Sequence, residues 1–164
     1  MISFMQRGYA AVKARNPAEA AQWFEKALSE NPEDGQAKAW LGQCLCNMGR
    51  RDEGANYLRQ AGQDLLNMAQ ESKDISQTLE IIAQLQHWGD FSGALELGSQ
   101  AVQINSSEFR CFQLLAVTYA QLNKKTEALN AGRQALALAP ENTMMQVFLG
   151  SLEADAGLNA DAKQ

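Results

Sequence analysis

Residues recur along this chain at intervals of 34 positions, in several columns at once. Gly8 and Gly42, Phe24 and Leu58, and Ala27 and Ala61 are each 34 apart. So are Ala94 and Ala128, Gly98 and Gly132, and Ala101 and Ala135. Leu115 and Leu149, Ala116 and Gly150, and Ala128 and Ala162 repeat the interval. One step differs. Ala61 to Ala101 is 40, so six extra residues lie between the second and third units. A fixed period of this length means stacked copies of one supersecondary unit, each burying an apolar face only against its neighbours.

Apolar spacing shows what the unit is. In Phe112–Pro140, Phe112, Leu115, Ala116 and Tyr119 recur at helical spacing, followed by Ala128, Ala135 and Pro140. This predicts two amphipathic helices with a tight turn at Asn123-Lys124-Lys125. The same reading places helix pairs at about 2–15 and 17–30, 35–48 and 51–69, 74–88 and 90–104, and 108–122 and 125–138. A ninth helix is expected over 142–156, ended by Gly157 as C-cap and followed by a stub from Asn159 to Gln164. Asn16 and Asp90 have the chemistry of N-caps, and Pro17 suits the first helical position. Gly49 and Gly89 mark turns inside pairs, and Pro32 ends the first pair. The extra residues fall in Asp64–Asp74, where Leu65, Leu66 and Met68 continue an apolar pattern. An elongated helix followed by a polar turn is expected there.

Each column has a packing role. Small residues at Gly8, Gly42, Ala116 and Gly150, and at Ala20, Gly54, Ala94 and Ala128, let paired helices approach. Phe24, Leu58, Leu45, Leu85 and Tyr119 fill the surrounding space. Gly98 and Gly132 stand in register with Phe24 and Leu58, which suggests close packing between neighbouring second helices. The column Leu41, Ile81, Leu115 and Leu149 faces the preceding unit, and the first unit holds Arg7 there. Glu153 replaces the large residue in the fifth unit. Polar residues at both ends suit a capped array, whereas Ala162 keeps the repeat alive where the chain stops. A piece of a longer protein stays open.

The pattern of small and large columns is close to W-x2-L-G-x2-Y…A-x3-F…P and resembles the tetratricopeptide repeat family over nearly the whole chain. The resemblance implies an all-α fold, a right-handed superhelical α-solenoid of tandem helix–turn–helix repeats. It would be one domain over 1–164, with repeats at about 1–34, 35–68, 75–108 and 109–142 and a partial capping repeat at 143–164. The family usually has a large aromatic in the column of Gly98 and Gly132, so this chain departs from it there.

Composition narrows the function. Net charge is −5 with no basic run, which argues against a nucleic-acid partner. No apolar run approaches the roughly 20 residues of a membrane span, and the N-terminal stretch lacks the layout of a signal peptide. Cys44 and Cys46 point about 160° apart on a helix and cannot converge on one metal. With no CxxC, reduced thiols and a cytoplasmic location are expected. One histidine, His87, and no nucleophile, phosphate-loop or dinucleotide motif leave no catalytic set, cofactor or metal to expect.

In the family, first helices line a concave groove that holds a peptide. The resemblance therefore implies a non-catalytic scaffold with a protein or peptide partner, a homo-oligomer being open. Column by column, the implied peptide-binding residues are Tyr9, Lys13, Trp40, Gln43, Asn47, His87, Arg110, Gln113 and Gln121. Met5, Val12, Cys46, Leu79, Glu80, Ala83, Gln86, Val117, Val147, Ser151 and Asp155 complete the surface. Amides suit it because they offer a donor and an acceptor to an extended backbone. The family's clamp for a terminal carboxylate is missing, since its columns hold Met5, Tyr9, Trp40, Ser76 and Glu80. Two alternatives stay open. One is the N-terminal repeat region of a larger enzyme, such as a bacterial sulfotransferase or hydroxylase. The other is a small secretion-type chaperone.

Overall fold

A computed structural model describes the backbone of residues 2–161 and the side chains of residues 2–154. The described residues form α1 (Phe4–Lys13), α2 (Pro17–Glu30), α3 (Gly35–Asn47), α4 (Arg51–Ser72), α5 (Ser76–Trp88), α6 (Phe91–Ile104), α7 (Phe109–Gln121), α8 (Lys125–Leu138) and α9 (Thr143–Asp161), with no strand among them. Each helix packs on the next, and α3 also touches α5 and α5 touches α7. The chain is thus an α-solenoid. Its odd-numbered helices form one face, and the even-numbered helices lie behind them.

Local chemistry starts and stops the helices as expected. Asn16 caps α2 by accepting from the Glu19 amide at 3.2 Å, with Pro17 in the first helical position. Asp90 caps α6 by accepting from the Gly93 amide at 3.1 Å. The turn inside each pair needs one left-handed residue. That residue is Arg15 (φ 55°), Gly49 (84°), Gly89 (86°) and Asn123 (57°) in the four pairs. Glycine adopts this conformation freely and asparagine tolerates it. Arg15 does so at a cost of roughly 1 kcal/mol.

Within pairs, small columns meet large ones. A Cβ on Gly8 would lie 2.5 Å from the Phe24 ring, which is fully buried. Between α3 and α4 the contact is backbone to backbone. A Cβ on Gly42 would meet the Gly54 carbonyl at 2.7 Å, and one on Gly54 would meet the Gly42 carbonyl at 2.6 Å.

Between pairs the sequence expectation needs correcting. The space at Gly98 and Gly132 is not taken by a neighbouring second helix. A Cβ on Gly98 would lie 2.9 Å from Leu115, and one on Gly132 would lie 2.6 Å from Leu149, both on the following first helix. The leucines of the column facing backwards fill the hole left by the missing large residues. The atom in the way at Gly132 is the far end of a flexible side chain. Gly132→Ala is therefore expected to change stability by less than about 1 kcal/mol. The gain in helix propensity offsets a small shift of Leu149. Thermal unfolding followed by circular dichroism checks this.

The six extra residues lengthen α4 to 22 residues, against 14 in α2. Leu66 and Ala69 are buried in its added turns, and Lys73 ends it with φ 60°. Just before the added turns, Asp64 pairs with Lys38 of α3 at 2.6 Å, with the lysine side chain only 11% exposed. At the far end α9 runs through Gly157 to Asp161, so that glycine is not a C-cap. An interior glycine costs about 1 kcal/mol against alanine, too little to stop a helix by itself. Asp155 falls outside the described side chains, and Ala162 and the end of the expected stub fall outside the described residues. Glu153 is exposed and pairs with Arg133 of α8 at 2.9 Å. Arg7, at the other end, lies 4.8 Å over the Trp23 ring.

Candidate functional site

Two clefts open on the odd-helix face, side by side. The first, about 330 Å³, is lined by Val12, Arg15, Pro17, Trp40, Gln43, Cys44 and Asn47. The second, about 380 Å³, is lined by Tyr9 of α1, by Gln36, Ala39, Trp40 and Gln43 of α3, by Leu65 of α4, and by Gln77, Glu80, Ile81 and Gln84 of α5. Trp40 and Gln43 belong to both and form the wall between them. Each cleft is of a size that admits a few side chains of a ligand.

Trp40 is held from behind by aromatic packing. Its ring stacks on Phe24 at 6.1 Å and 19° and meets Tyr9 edge-on at 5.5 Å and 74°. Tyr9 in turn meets Phe24 at 5.8 Å. Buried Phe24 thus acts as a floor, and the half-buried tryptophan presents its remaining surface to the clefts. Burial raises the Tyr9 hydroxyl above its usual pKa, and the nearby Asp34 carboxylate raises it further. In the second cleft Gln84 Oε1 is buried without a hydrogen-bond partner. A group left this way costs free energy that a ligand donor would recover.

Tyr9, Trp40, Gln43 and Asn47 of the expected binding residues come together here. Lys13, His87, Arg110 and Gln121 are exposed and Gln113 is half-buried, and none of the five lines either cleft. His87 instead rests its ring on Trp88 at 4.8 Å. Three further expectations fail for packing reasons. Cys46 (2% exposed) is pressed against Gly54 and Leu79 (1% exposed) lies in the core, so neither reaches the surface. Gln86 donates to the Leu114 carbonyl at 2.8 Å and to Thr118 Oγ1 at 2.6 Å, clipping α5 to α7 instead of serving a ligand.

Sequence reasoning missed Arg15, Gln36, Leu65, Gln77 and Gln84. The glutamines had a usable signal. Gln36 and Gln43, and Gln77 and Gln84, are each seven apart, two turns along one helix side. Leu65 had none, because only the added length of α4 brings it round to α5.

The thiols are not poised for chemistry. Burial pushes Cys44 up to about 11 and Cys111 up to about 12, with the Glu108 charge adding to the latter. Burial raises Cys46 too, partly opposed by Arg51. At pH 8 only about one Cys44 in a thousand would be thiolate. The folded chain is expected to resist a thiol reagent at pH 8 for minutes, and all three cysteines to react at once in denaturant. Mass spectrometry of the labelled chain reads the count. Among the described residues no group of three or more His, Cys, Asp or Glu could hold a metal ion, and no helix is long and apolar enough to cross a membrane.

Two sequence models described as tetratricopeptide repeat match residues 11–70 and 109–142. Human tetratricopeptide repeat protein 21B is 26% identical over 141 residues, which is 83% of this chain and 10% of that protein. The chain spans about a tenth of the length of this curated relative. Among solved structures, a crystal structure of MamA superposes with a TM-score of 0.68 at 15% identity, covering 94% of this chain and 87% of that one. MamA residues 41 to the end from Desulfovibrio magneticus RS-1 give 0.67 at 16% identity, covering 94% and 84%. At such identities these structures share the fold and nothing more is carried across.

Proposed function

The chain belongs to the tetratricopeptide repeat family, and on that premise we propose that it is a non-catalytic scaffold which holds an extended segment of a partner protein on its odd-helix face. The observation that carries this reading is Trp40, half-buried between two adjoining clefts and backed by Tyr9 and Phe24. A tryptophan fixed this way exposes contact area without losing further rotamer freedom on binding, the property of an interface hot spot. The amides of Gln36, Gln43, Gln77, Gln84 and Asn47 around it can pair with a peptide backbone through both donor and acceptor. Glu80 would repel a carboxylate from the second cleft, so a C-terminal carboxylate is not held there.

Site-resolved photocrosslinking tests this. A photoreactive residue is placed at Gln43 or Gln77 on the odd-helix face, and at Lys26 or Glu127 on exposed sites of even-numbered helices. The expected result is that protein adducts in the host cell form from the first two positions and not from the others. Adducts in equal yield from Lys26 and Glu127 would move the binding surface to the other face.

A further inference from the structure

The two clefts differ in the sign of their charge, and this gives the bound segment a chemistry and a direction. Arg15 is the charged residue lining the first cleft, and Glu80 is the charged residue lining the second. Neither makes an ion pair among the described residues. A second acidic group reinforces the difference, since Asp34 lies close enough to Tyr9 of the second cleft to raise its hydroxyl. We propose that the partner segment carries an apolar side chain against Trp40, an acidic side chain on the Arg15 side and a basic side chain on the Glu80 side. This rests on the odd-helix face being the binding surface, and it adds which segment binds there.

Backbone geometry supports a role for the Arg15 side chain. Its position in the turn demands a left-handed residue, and the equivalent turns of this chain use Gly49, Gly89 and Asn123. Folding gains nothing from arginine there, because glycine fits the conformation better. What arginine adds is a guanidinium at the mouth of the first cleft, able to hold a carboxylate through two parallel hydrogen bonds. Glu80 similarly offers an unpaired carboxylate beside the orphaned Gln84 oxygen, so the second cleft is rich in acceptors and suits a cationic donor.

Selection of random peptides displayed on phage against the full chain tests the proposal. The enriched peptides are expected to carry an acid and a base on opposite sides of an apolar residue, in one dominant order. An enriched peptide, synthesised with blocked ends and followed by fluorescence anisotropy, should bind Arg15→Gly and Glu80→Gln each about fivefold more weakly, since exposed pairs contribute up to about that factor. Arg15→Gly should melt no lower than the parent chain, so its loss cannot be put down to misfolding. In the double variant Arg15→Glu/Glu80→Arg the reversed-order peptide should win by about tenfold, because attraction and repulsion both change sign. Enriched peptides without a charge order, or affinities unmoved by these variants while Trp40→Leu still weakens binding, would overturn the charge proposal and leave the binding face standing. Affinities unmoved by Trp40→Leu as well would overturn both.

Discussion

Gly54→Ala is expected to cost about 3 kcal/mol and to lower the melting temperature by about 10 °C, far more than a single methyl usually does. The cause lies in what the methyl meets. Its carbon would stand 2.6 Å from the Gly42 carbonyl oxygen and 2.9 Å from the Cys46 amide nitrogen. Both are backbone atoms of α3, and neither can move without carrying the helix with it. Cys46, whose sulfur would be closer still, is already fixed by burial and by donating to the Arg51 carbonyl. So α3 and α4 must separate, and the contacts of Leu45 and Leu58 around the crossing loosen with them. Helix propensity works the other way, favouring alanine by about 1 kcal/mol, and is outweighed. Gly132→Ala is the control, since it makes an equally close approach to a side chain that can rotate away. Denaturant titrations of both variants separate the cases. Equal stabilities would show that the α3–α4 crossing adapts as easily as a leucine does.

The period of 34 made the fold legible, because a column that recurs must do the same packing task each time. Helix ends were legible wherever capping chemistry is local, as at Asn16, Asp90, Gly49 and Gly89. The Gly157 stop was misread because a glycine is only permissive, and ends a helix when the chain beyond it turns left-handed. Gly98 and Gly132 were flagged as anomalous but given the wrong partner. A sequence column shows that space is vacated and does not show who enters it. The same limit governed the site. Helical periodicity put Tyr9, Trp40, Gln43 and Asn47 on one face, and that is where they stand. It could not tell that Gln86 spends its amide on Leu114 and Thr118, or that Leu65 arrives from an even-numbered helix. Those facts depend on crossing geometry and on the added turns of α4. Arg15 was read as the last residue of the first helix, which in fact ends at Lys13, and its side chain's place in the first cleft follows from how α1 and α3 lie together.

Trp40→Ala is expected to weaken binding of a segment held on the odd-helix face by about 2 kcal/mol, roughly 30-fold, the scale of an aromatic hot spot. Unlike a freely exposed residue it should also cost stability. Its ring covers Phe24 and meets Tyr9, so truncation opens the back of the clefts as well as the front. Affinity lost through unfolding must therefore be told apart from affinity lost at the surface. Two companions do this. Gln43 shares both clefts with Trp40, and truncating its half-buried amide should reduce affinity about fivefold with little change in melting temperature. Lys26 lies on α2 with its ammonium 4.3 Å over Trp23, and Lys26→Ala should lose at most about 1 kcal/mol of cation–π stability and no affinity. Arg110, on the first turn of α7 and outside both clefts, should contribute less than Trp40. Affinity is measured with the phage-selected peptide at a temperature where every variant is fully folded, and melting temperature on the same preparations. If Trp40→Ala lowers only the melting temperature and Gln43→Ala changes nothing, the tryptophan is a core residue with an idle edge, and the partner binds elsewhere on the solenoid.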